Sequence, residues 1–416
     1  MNGYNITKLS NGINIVTENI PYVKSFSLGF WFNTGSRNEN ISNNGISHFI
    51  EHMLFKGTEK RSAKKIADDI ESLGGYLNAF TSKEHTCFYG RGLSQHLTKT
   101  FEVLADMIQN SVFRQRDIEK EAQVIMDELY DIEDSPEELI FDKFESIIYS
   151  GSKYQFPIIG TEKNILNFTS DSITSYMSGN YVFNNFYIIA SGAVDHNKIV
   201  HLVEKYLIKD FGKKRNGKIN LPDNPAADQF FEKETQQTHV IIGKKTFGYK
   251  DNRRKAISLL SHILGEGSSS RLFQALRERN GITYQVNSFF NSFYEVSTFG
   301  AYFSTNDKTA QKAVDIVYQE IEKLRNRGVT AKELDKAKEY IKGSILMGLE
   351  STTNRMLRMA QSIIYFDRVK LVDESISEIN AVSMDEIADL SQNLLNTDTF
   401  VKTVISSKNT LFISAA

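Results

Sequence analysis

One order of secondary-structure elements occurs twice along this chain of 416 residues. The first part has alternating strands, helices that end at Gly74-Gly75, a long strand region at residues 76–93 and two further helices. The second part has a strand at residues 239–244, helices, two long strands and again two helices. The repetition predicts an α+β fold of two homologous domains, each a mostly antiparallel sheet with helices packed on one face.

Proline marks the boundary between the two parts. The chain has only five prolines, and two of them, Pro222 and Pro225, lie in residues 213–228, where apolar side chains are scarce. Proline fixes φ and keeps the preceding residue extended, so this stretch is not expected to continue a helix or pack a core. We therefore predict a first domain at residues 1–212, a linker at 213–228 and a second domain at 229–416.

Composition and charge argue against several classes of protein. Lys and Arg total 49 and Asp and Glu total 51, and a net charge of −2 argues against nucleic-acid and anionic-membrane partners. The single cysteine, Cys87, excludes an internal disulfide and a cysteine-based zinc site. No apolar run approaches the ~20 residues that span a bilayer, and the first residues lack the pattern of a signal peptide. A cytoplasmic protein is expected.

Residues 44–58, NGISHFIEHMLFKGT, predict a helix that carries His48, Glu51 and His52. Residues four apart share a helix face, so the two imidazoles can reach one zinc ion, and Glu51 borders the same volume. This His-x-x-Glu-His order is the inverse of the commoner His-Glu-x-x-His. Taken alone, the five residues indicate a metal site no more strongly than they indicate a chance grouping or a set of buried hydrogen bonds.

A catalytic zinc site needs a third protein ligand besides an open position for water. The predicted helix at residues 116–131 carries Glu121 and Glu128, two turns apart on one face. Glu128 would complete the ligand set, and Glu121, one layer back, would hold an imidazole in its tautomer. Seven acidic residues lie between Asp127 and Glu138, so composition alone does not select Glu128.

Four motifs follow one another along the chain: GISHFIEHMLFKGT at 45–58, GGYLNAFTSKEHTCFY at 74–89, EAQVIMDE at 121–128 and LRERNGITYQV at 276–286. In this order they resemble the zinc peptidases of the pitrilysin and mitochondrial processing peptidase family. The resemblance is closest to the short bacterial members with two homologous domains. In that family the distal glutamate ligand follows the second histidine by about 76 residues, as Glu128 follows His52 here.

The resemblance implies a role for each matching residue. His48, His52 and Glu128 would bind one Zn²⁺ per chain, Glu51 would be the general base, and Glu121 would be the second acidic position. Arg277 and Tyr284 match a pair that reaches the substrate from the later domain, where the phenol would donate to the developing oxyanion. Phe55 would line the pocket beyond the cleaved bond. An extended substrate would add as a β-strand to an edge strand that matches Leu77, Asn78, Ala79, Phe80 and Thr81.

The implied activity is zinc-dependent endopeptidase cleavage of unfolded peptides or flexible segments in a clamshell chamber. In four-domain relatives the Arg-Tyr pair comes from the opposite half of the clamshell, so a homodimer, or a heterodimer with a related chain, is expected here. The alternative is a non-catalytic assembly subunit of a processing-peptidase-like complex, because the family includes members without the metal site. The complete set of metal-site residues favours the enzyme.

Overall fold

The chain folds into two compact units, each assembled from three stretches of sequence. The structure, a computed structural model, describes residues 3–209, 219–222 and 227–411. Unit 1 comprises Met1–Asp131, Ser152–Asn220 and Gly348–Val369, and unit 2 comprises Ile132–Gly151, Leu221–Met347 and Lys370–Ala416. Most of the predicted linker, residues 213–218 and 223–226, lies outside the described residues.

Each unit contains one sheet, and the described residues supply eleven strands and fourteen α-helices in all. The strands of unit 1 are Tyr4–Lys8 (β1), Asn14–Asn19 (β2), Ser25–Phe32 (β3), Tyr76–Thr81 (β4), Thr86–Leu93 (β5) and Phe186–Gly192 (β6). The strands of unit 2 are Gln229–Glu232 (β7), Thr238–Phe247 (β8), Thr283–Ser292 (β9), Val296–Thr305 (β10) and Val401–Ser406 (β11). The helices are Ile46–Leu54 (α1), Ala63–Glu71 (α2), Leu97–Asn110 (α3), Gln115–Asp134 (α4), Pro136–Ile148 (α5), Glu162–Ile165 (α6), Ser170–Asn180 (α7), His196–Tyr206 (α8), Arg254–Gly265 (α9), Ala310–Arg327 (α10), Ala331–Gly348 (α11), Thr352–Phe366 (α12), Val372–Ala381 (α13) and Met384–Leu394 (α14).

Both sheets are mostly antiparallel, as predicted. The strand order in unit 1 is β1-β2-β6-β3-β5-β4, and only the pair β2–β6 is parallel among its described strands. The order in unit 2 is β7-β11-β8-β10-β9, with β7–β11 as the parallel pair. Strand β4 therefore lies at one edge of its sheet, where half of its backbone groups have no partner strand.

The sheet of unit 1 has helices on both faces. Phe30 packs against Phe101 of α3 with ring centroids 5.1 Å apart. Its neighbour Trp31 points to the opposite face, because side chains alternate along a strand. There it clusters with Met356 and Met359 of α12. Helix α12 belongs to the stretch Gly348–Val369. This stretch lies in the second half of the sequence but is part of unit 1.

The sheet of unit 2 has the same arrangement. Phe299 packs in a core with residues of α9 on one face. On the other face, Phe144 of α5 contacts Phe289 at 5.8 Å between ring centroids. A Cβ on Gly243 would come within 2.8 Å of the Phe144 ring, so the absence of a side chain there lets α5 approach. The predicted domains, 1–212 and 229–416, are continuous in sequence. The compact units are not, because the segment that carries α5 belongs to unit 2 and the segment that carries α12 belongs to unit 1.

No helix in the described part of the chain is both long enough and apolar enough to cross a membrane.

Candidate metal centre

Helix α1 carries the predicted metal motif, and its first turn is held by a residue outside the helix. Gly45 precedes the helix with a left-handed φ of 97°. The backbone N–H groups of Gly45 and Ser47 each donate to the Glu39 carboxylate at 2.8 Å. These hydrogen bonds satisfy donors that a helix start leaves unpaired. Burial raises the pKa of Glu39, although its hydrogen bonds oppose that shift.

Three side chains from α1 and α4 converge on one small volume. Nε2 of His48 lies 3.7 Å from Oε2 of Glu128, and Nε2 of His52 lies 3.6 Å from the same oxygen. One donor atom from each residue lies within 4.8 Å of the other two. Tetrahedral zinc with bonds of about 2.0–2.2 Å places its ligand atoms about 3.3–3.6 Å apart. The donor set of two imidazoles and one carboxylate, at this spacing, fits a zinc ion.

The imidazole of His48 has the protonation that metal binding requires. Burial, with a smaller contribution from His52, lowers the pKa of His48 to about 3, so this ring is neutral at pH 7. A neutral imidazole offers a lone pair to a metal. His48 is 12% exposed at its side chain and Glu128 is 45% exposed, so the donor group is buried on the imidazole side and accessible on the carboxylate side.

Glu121 fixes the orientation of the second imidazole. Its carboxylate accepts a hydrogen bond from Nδ1 of His52 at 2.9 Å, and because a carboxylate only accepts, the proton sits on Nδ1. Nε2 of His52 is then the free acceptor that faces Glu128. Lys56 pairs with the other oxygen of Glu121 at 2.6 Å. Burial would raise the pKa of Glu121, but the hydrogen bonds from His52 and Lys56 outweigh it and hold the pKa below its usual range.

Glu51 lies beside the donor group without belonging to it. Its Oε2 accepts a hydrogen bond from the hydroxyl of Thr81 at 2.6 Å. Burial raises the pKa of Glu51, and the Thr81 hydrogen bond opposes that shift. A partly buried carboxylate next to a candidate metal site can accept and return a proton.

The predicted edge strand is β4, which pairs with β5 on one side only. The long strand region predicted at residues 76–93 is thus a hairpin. On β4, Asn78 donates to the Tyr76 hydroxyl at 2.8 Å and accepts from the N–H of Ala79 at 2.9 Å. Phe80 packs edge-on against Trp31, with centroids 5.3 Å apart. Leu77, Ala79 and Thr81 share the other face of the strand.

Phe55 ends helix α1 and is partly buried, with its ring 6.4 Å from that of Phe88.

Arg277 and Tyr284 contact each other in unit 2. The Arg277 guanidinium donates to the carbonyl of Tyr284 at 3.2 Å and lies 4.3 Å from the centre of its ring. Arg277 sits on a π-helical turn, Phe273–Glu278, in which the N–H of Arg279 donates to the carbonyl of Gln274 five residues earlier. Such turns are frequent at functional sites. Tyr284 is the second residue of the edge strand β9 and is 77% exposed. This pair belongs to unit 2, and the metal donors belong to unit 1.

Sequence reasoning missed three contributors to the centre. Lys56 lies four residues after His52, on the same helical face, and that spacing could have indicated a shared acidic partner. Glu39 caps α1 from a preceding loop, a role that the sequence did not indicate. The hydroxyl of Thr81 contacts Glu51, although the resemblance implied only a strand contact with substrate for this residue.

Two stretches of the chain match models of known protein families. Residues 14–162 match the model described as insulinase, peptidase family M16, and residues 167–341 match the model described as the peptidase M16 inactive domain. The chain belongs to peptidase family M16. The resemblance to pitrilysin-type zinc peptidases is therefore confirmed.

Curated relatives match over almost the whole chain. An uncharacterized zinc protease of Bacillus subtilis, YmxG, is 35% identical over 399 residues, which cover 96% of this chain and 97% of the relative. An uncharacterized zinc protease of Rickettsia felis is 34% identical and covers 95% of this chain and 96% of its own. A solved structure of a Helicobacter pylori protease superposes with a TM-score of 0.91 at 23% identity and covers 98% of this chain and 100% of that one. This last match supports the M16 fold.

Proposed function

We propose that this M16 chain is a zinc-dependent endopeptidase that cleaves unfolded peptides or flexible segments docked along β4. One observation carries the proposal: His48, His52 and Glu128 offer three donor atoms within 4.8 Å of one another, and a separate carboxylate, Glu51, lies beside them on α1. A binding site that only stored or exported a metal would have no need for that fourth group.

In this proposal, Nε2 of His48, Nε2 of His52 and one oxygen of Glu128 would hold a single zinc ion. Zinc held there would polarise a peptide carbonyl and lower the pKa of water towards neutrality. Glu51 accepts the proton of the attacking water and delivers it to the leaving amine. Glu121 and Lys56 keep the imidazole of His52 in the tautomer that binds metal.

The substrate class follows from the backbone of β4. An edge strand binds a peptide through main-chain hydrogen bonds, so the peptide must be extended over several residues. A folded domain has no such backbone to offer. We further propose that Arg277 and Tyr284 contact the substrate, with the phenol donating to the oxyanion that forms at the cleaved carbonyl.

The alternative function, a non-catalytic assembly subunit, draws on the second family match, which is described as the peptidase M16 inactive domain. That match covers residues 167–341, whereas the donor group lies within the first match, at residues 14–162. A subunit without catalysis would have no use for a neutral His48 with Glu51 at its side. The enzyme is therefore the better supported of the two.

The test measures metal content and hydrolysis of an unstructured fluorogenic peptide in parallel. Glu51→Gln should retain zinc and lose about 10²–10⁴-fold in rate, because the base is lost and the ligands remain. Glu128→Ala should lose the zinc, since two remaining protein ligands hold it weakly. Asp127→Ala, which removes an exposed acid one position away, is the matched control and should resemble the wild type.

A stably folded protein should resist cleavage in the same assay, and a chelator should abolish cleavage of the peptide. Wild-type protein that carries stoichiometric zinc but hydrolyses no peptide in a broad unstructured library would favour the assembly subunit.

A further inference from the structure

We propose that the hydroxyl of Thr81 is a positioning group for the Glu51 carboxylate, an inference that rests on the proposed peptidase function. Thr81 is the last residue of β4, and its Oγ1 donates to Oε2 of Glu51 at 2.6 Å. Among the described residues, this is the one hydrogen bond that the carboxylate accepts. The conformation of the Glu51 side chain therefore depends on a group that belongs to the docking strand.

The position of that hydroxyl is itself fixed by the turn that follows β4. The N–H of Ser82 donates to the carbonyl of His85 at 2.8 Å, and the Ser82 hydroxyl oxygen accepts from the N–H of Glu84 at 3.2 Å and of His85 at 3.0 Å. These bonds close the turn directly after Thr81.

Glu84 anchors the turn in the interior of unit 1. Its buried carboxylate pairs with Arg37 and accepts from the hydroxyls of Tyr154, at 2.6 Å, and Tyr365. Charge-assisted hydrogen bonds of this kind are the stronger ones in proteins. The end of β4 is thus held by side chains from several elements of unit 1.

For catalysis, the consequence is that the two oxygens of Glu51 have different roles. Oε2 is occupied by the Thr81 hydroxyl, which leaves Oε1 to accept the proton of water. Without the hydroxyl, the carboxylate would still be present, but it would populate several rotamers, and only some of them would face the metal donors. Losing the hydroxyl should therefore lower kcat and leave KM unchanged. A residue that only bound substrate would instead change KM.

The experiment compares Thr81→Val with Thr81→Ser. Valine keeps the β-branched shape and strand propensity and removes the hydroxyl, whereas serine keeps the hydroxyl and removes the methyl group. With an unstructured peptide as substrate, Thr81→Val should lose about 10–100-fold in kcat, the range that one hydrogen bond to a charged group spans. KM and zinc content should match the wild type, and Thr81→Ser should recover most of the rate. If Thr81→Val does not fold, Thr81→Ala takes its place against the same serine variant.

Three outcomes would overturn the inference: wild-type kcat in Thr81→Val, a change confined to KM, or an equal loss in Thr81→Ser, which would assign the effect to packing of the methyl group. Each is distinct from failure of the proposed function. An inactive wild type, or a Glu51→Gln variant with full activity, refutes the peptidase mechanism itself. An active wild type with an inactive Glu51→Gln and an unaffected Thr81→Val refutes only the role of Thr81.

Discussion

Glu121 decides which nitrogen of His52 faces the other metal donors. The imidazole has two tautomers, and the hydrogen bond from Nδ1 to a carboxylate selects the one whose lone pair lies on Nε2. Lys56 balances the charge of Glu121, so the buried carboxylate does not have to be protonated to stay in place. Under the proposed function, His52 would thus have the tautomer of a metal ligand before any metal binds.

Replacing Glu121 by glutamine should weaken zinc binding without removing a ligand. The amide oxygen can still accept from one partner, but the negative charge that holds both His52 and Lys56 is lost. Partners of this kind contribute about 10–100-fold to metal affinity. Competition with a chromogenic chelator measures the change. Glu119→Gln, the same substitution at an exposed position of α4, is the control. Equal zinc affinity in both variants would contradict this role of Glu121.

The sequence predicted most of the titratable groups at the centre, because their spacing along helices is a local pattern. Spacings of three and four residues on α1 and seven on α4 are local properties of a helix, so His48, Glu51, His52 and the face of Glu128 follow from periodicity. The choice of Glu128 among seven nearby acids came from the family resemblance. Glu39 was missed because a cap from the loop that precedes α1 depends on the folded path of that loop, which leaves no pattern within the helix itself.

At the scale of elements, local patterns predicted where strands and helices lie in the sequence better than they predicted which elements pack together. The strand predicted at residues 239–244 is Thr238–Phe247, and the helix predicted at residues 116–131 is Gln115–Asp134. The placement of α5 in unit 2 and of α12 in unit 1 was not predicted. An amphipathic helix can bury its apolar stripe against either sheet, and its own sequence does not specify which one. Only the volumes on the two sheet faces, including the space above Gly243, decide it.

The turn between β4 and β5 should make unit 1 sensitive to acid. Burial lowers the pKa of His85 to about 4, below the ~6.5 of an unfolded chain. A depressed pKa means that the contribution of His85 to stability is complete above about pH 6.5 and is lost as the pH falls towards 4, because the unfolded state takes up the proton first. From pH 7 to pH 5 the loss should be about 2 kcal/mol.

Denaturant titrations of wild type and His85→Gln at pH 7 and pH 5 measure this contribution. The variant should lose less stability between the two values, even if it is less stable at both. His201→Gln, at an exposed position of α8, should keep the wild-type dependence. The same pH dependence in His85→Gln and wild type would assign the acid sensitivity to other groups.

For the whole molecule, we predict a homodimer in which Arg277 and Tyr284 act on the zinc site of the partner chain. The motivation is the implied arrangement in larger relatives, together with an Arg-Tyr pair that is assembled within unit 2 and whose Tyr284 is largely exposed. Two-fold symmetry would create two equivalent sites. Glu51→Gln and Tyr284→Phe should each be inactive alone, the second by about 10²–10³-fold.

Mixing these two variants under conditions that exchange subunits should restore about a quarter of the wild-type activity, because half the dimers are mixed and each has one intact site. Tyr340→Phe, at another exposed tyrosine of unit 2, should be active without mixing. No recovery after verified exchange, or an active monomer, would rule out action between chains.

The π-helical turn that carries Arg277 has a consequence for how such chains diverge. It holds one more residue than an α-helical turn of the same span, so its geometry depends on chain length as well as on side chains. Loss of a single codon within Phe273–Glu278 would let the ordinary helical repeat return and would remove the wide turn that holds Arg277. Arg277 would survive in the gene but would leave the turn geometry that brings it to Tyr284. An alignment that scores identity alone would count such a descendant as intact, whereas the length of this turn would show that the pair had been separated.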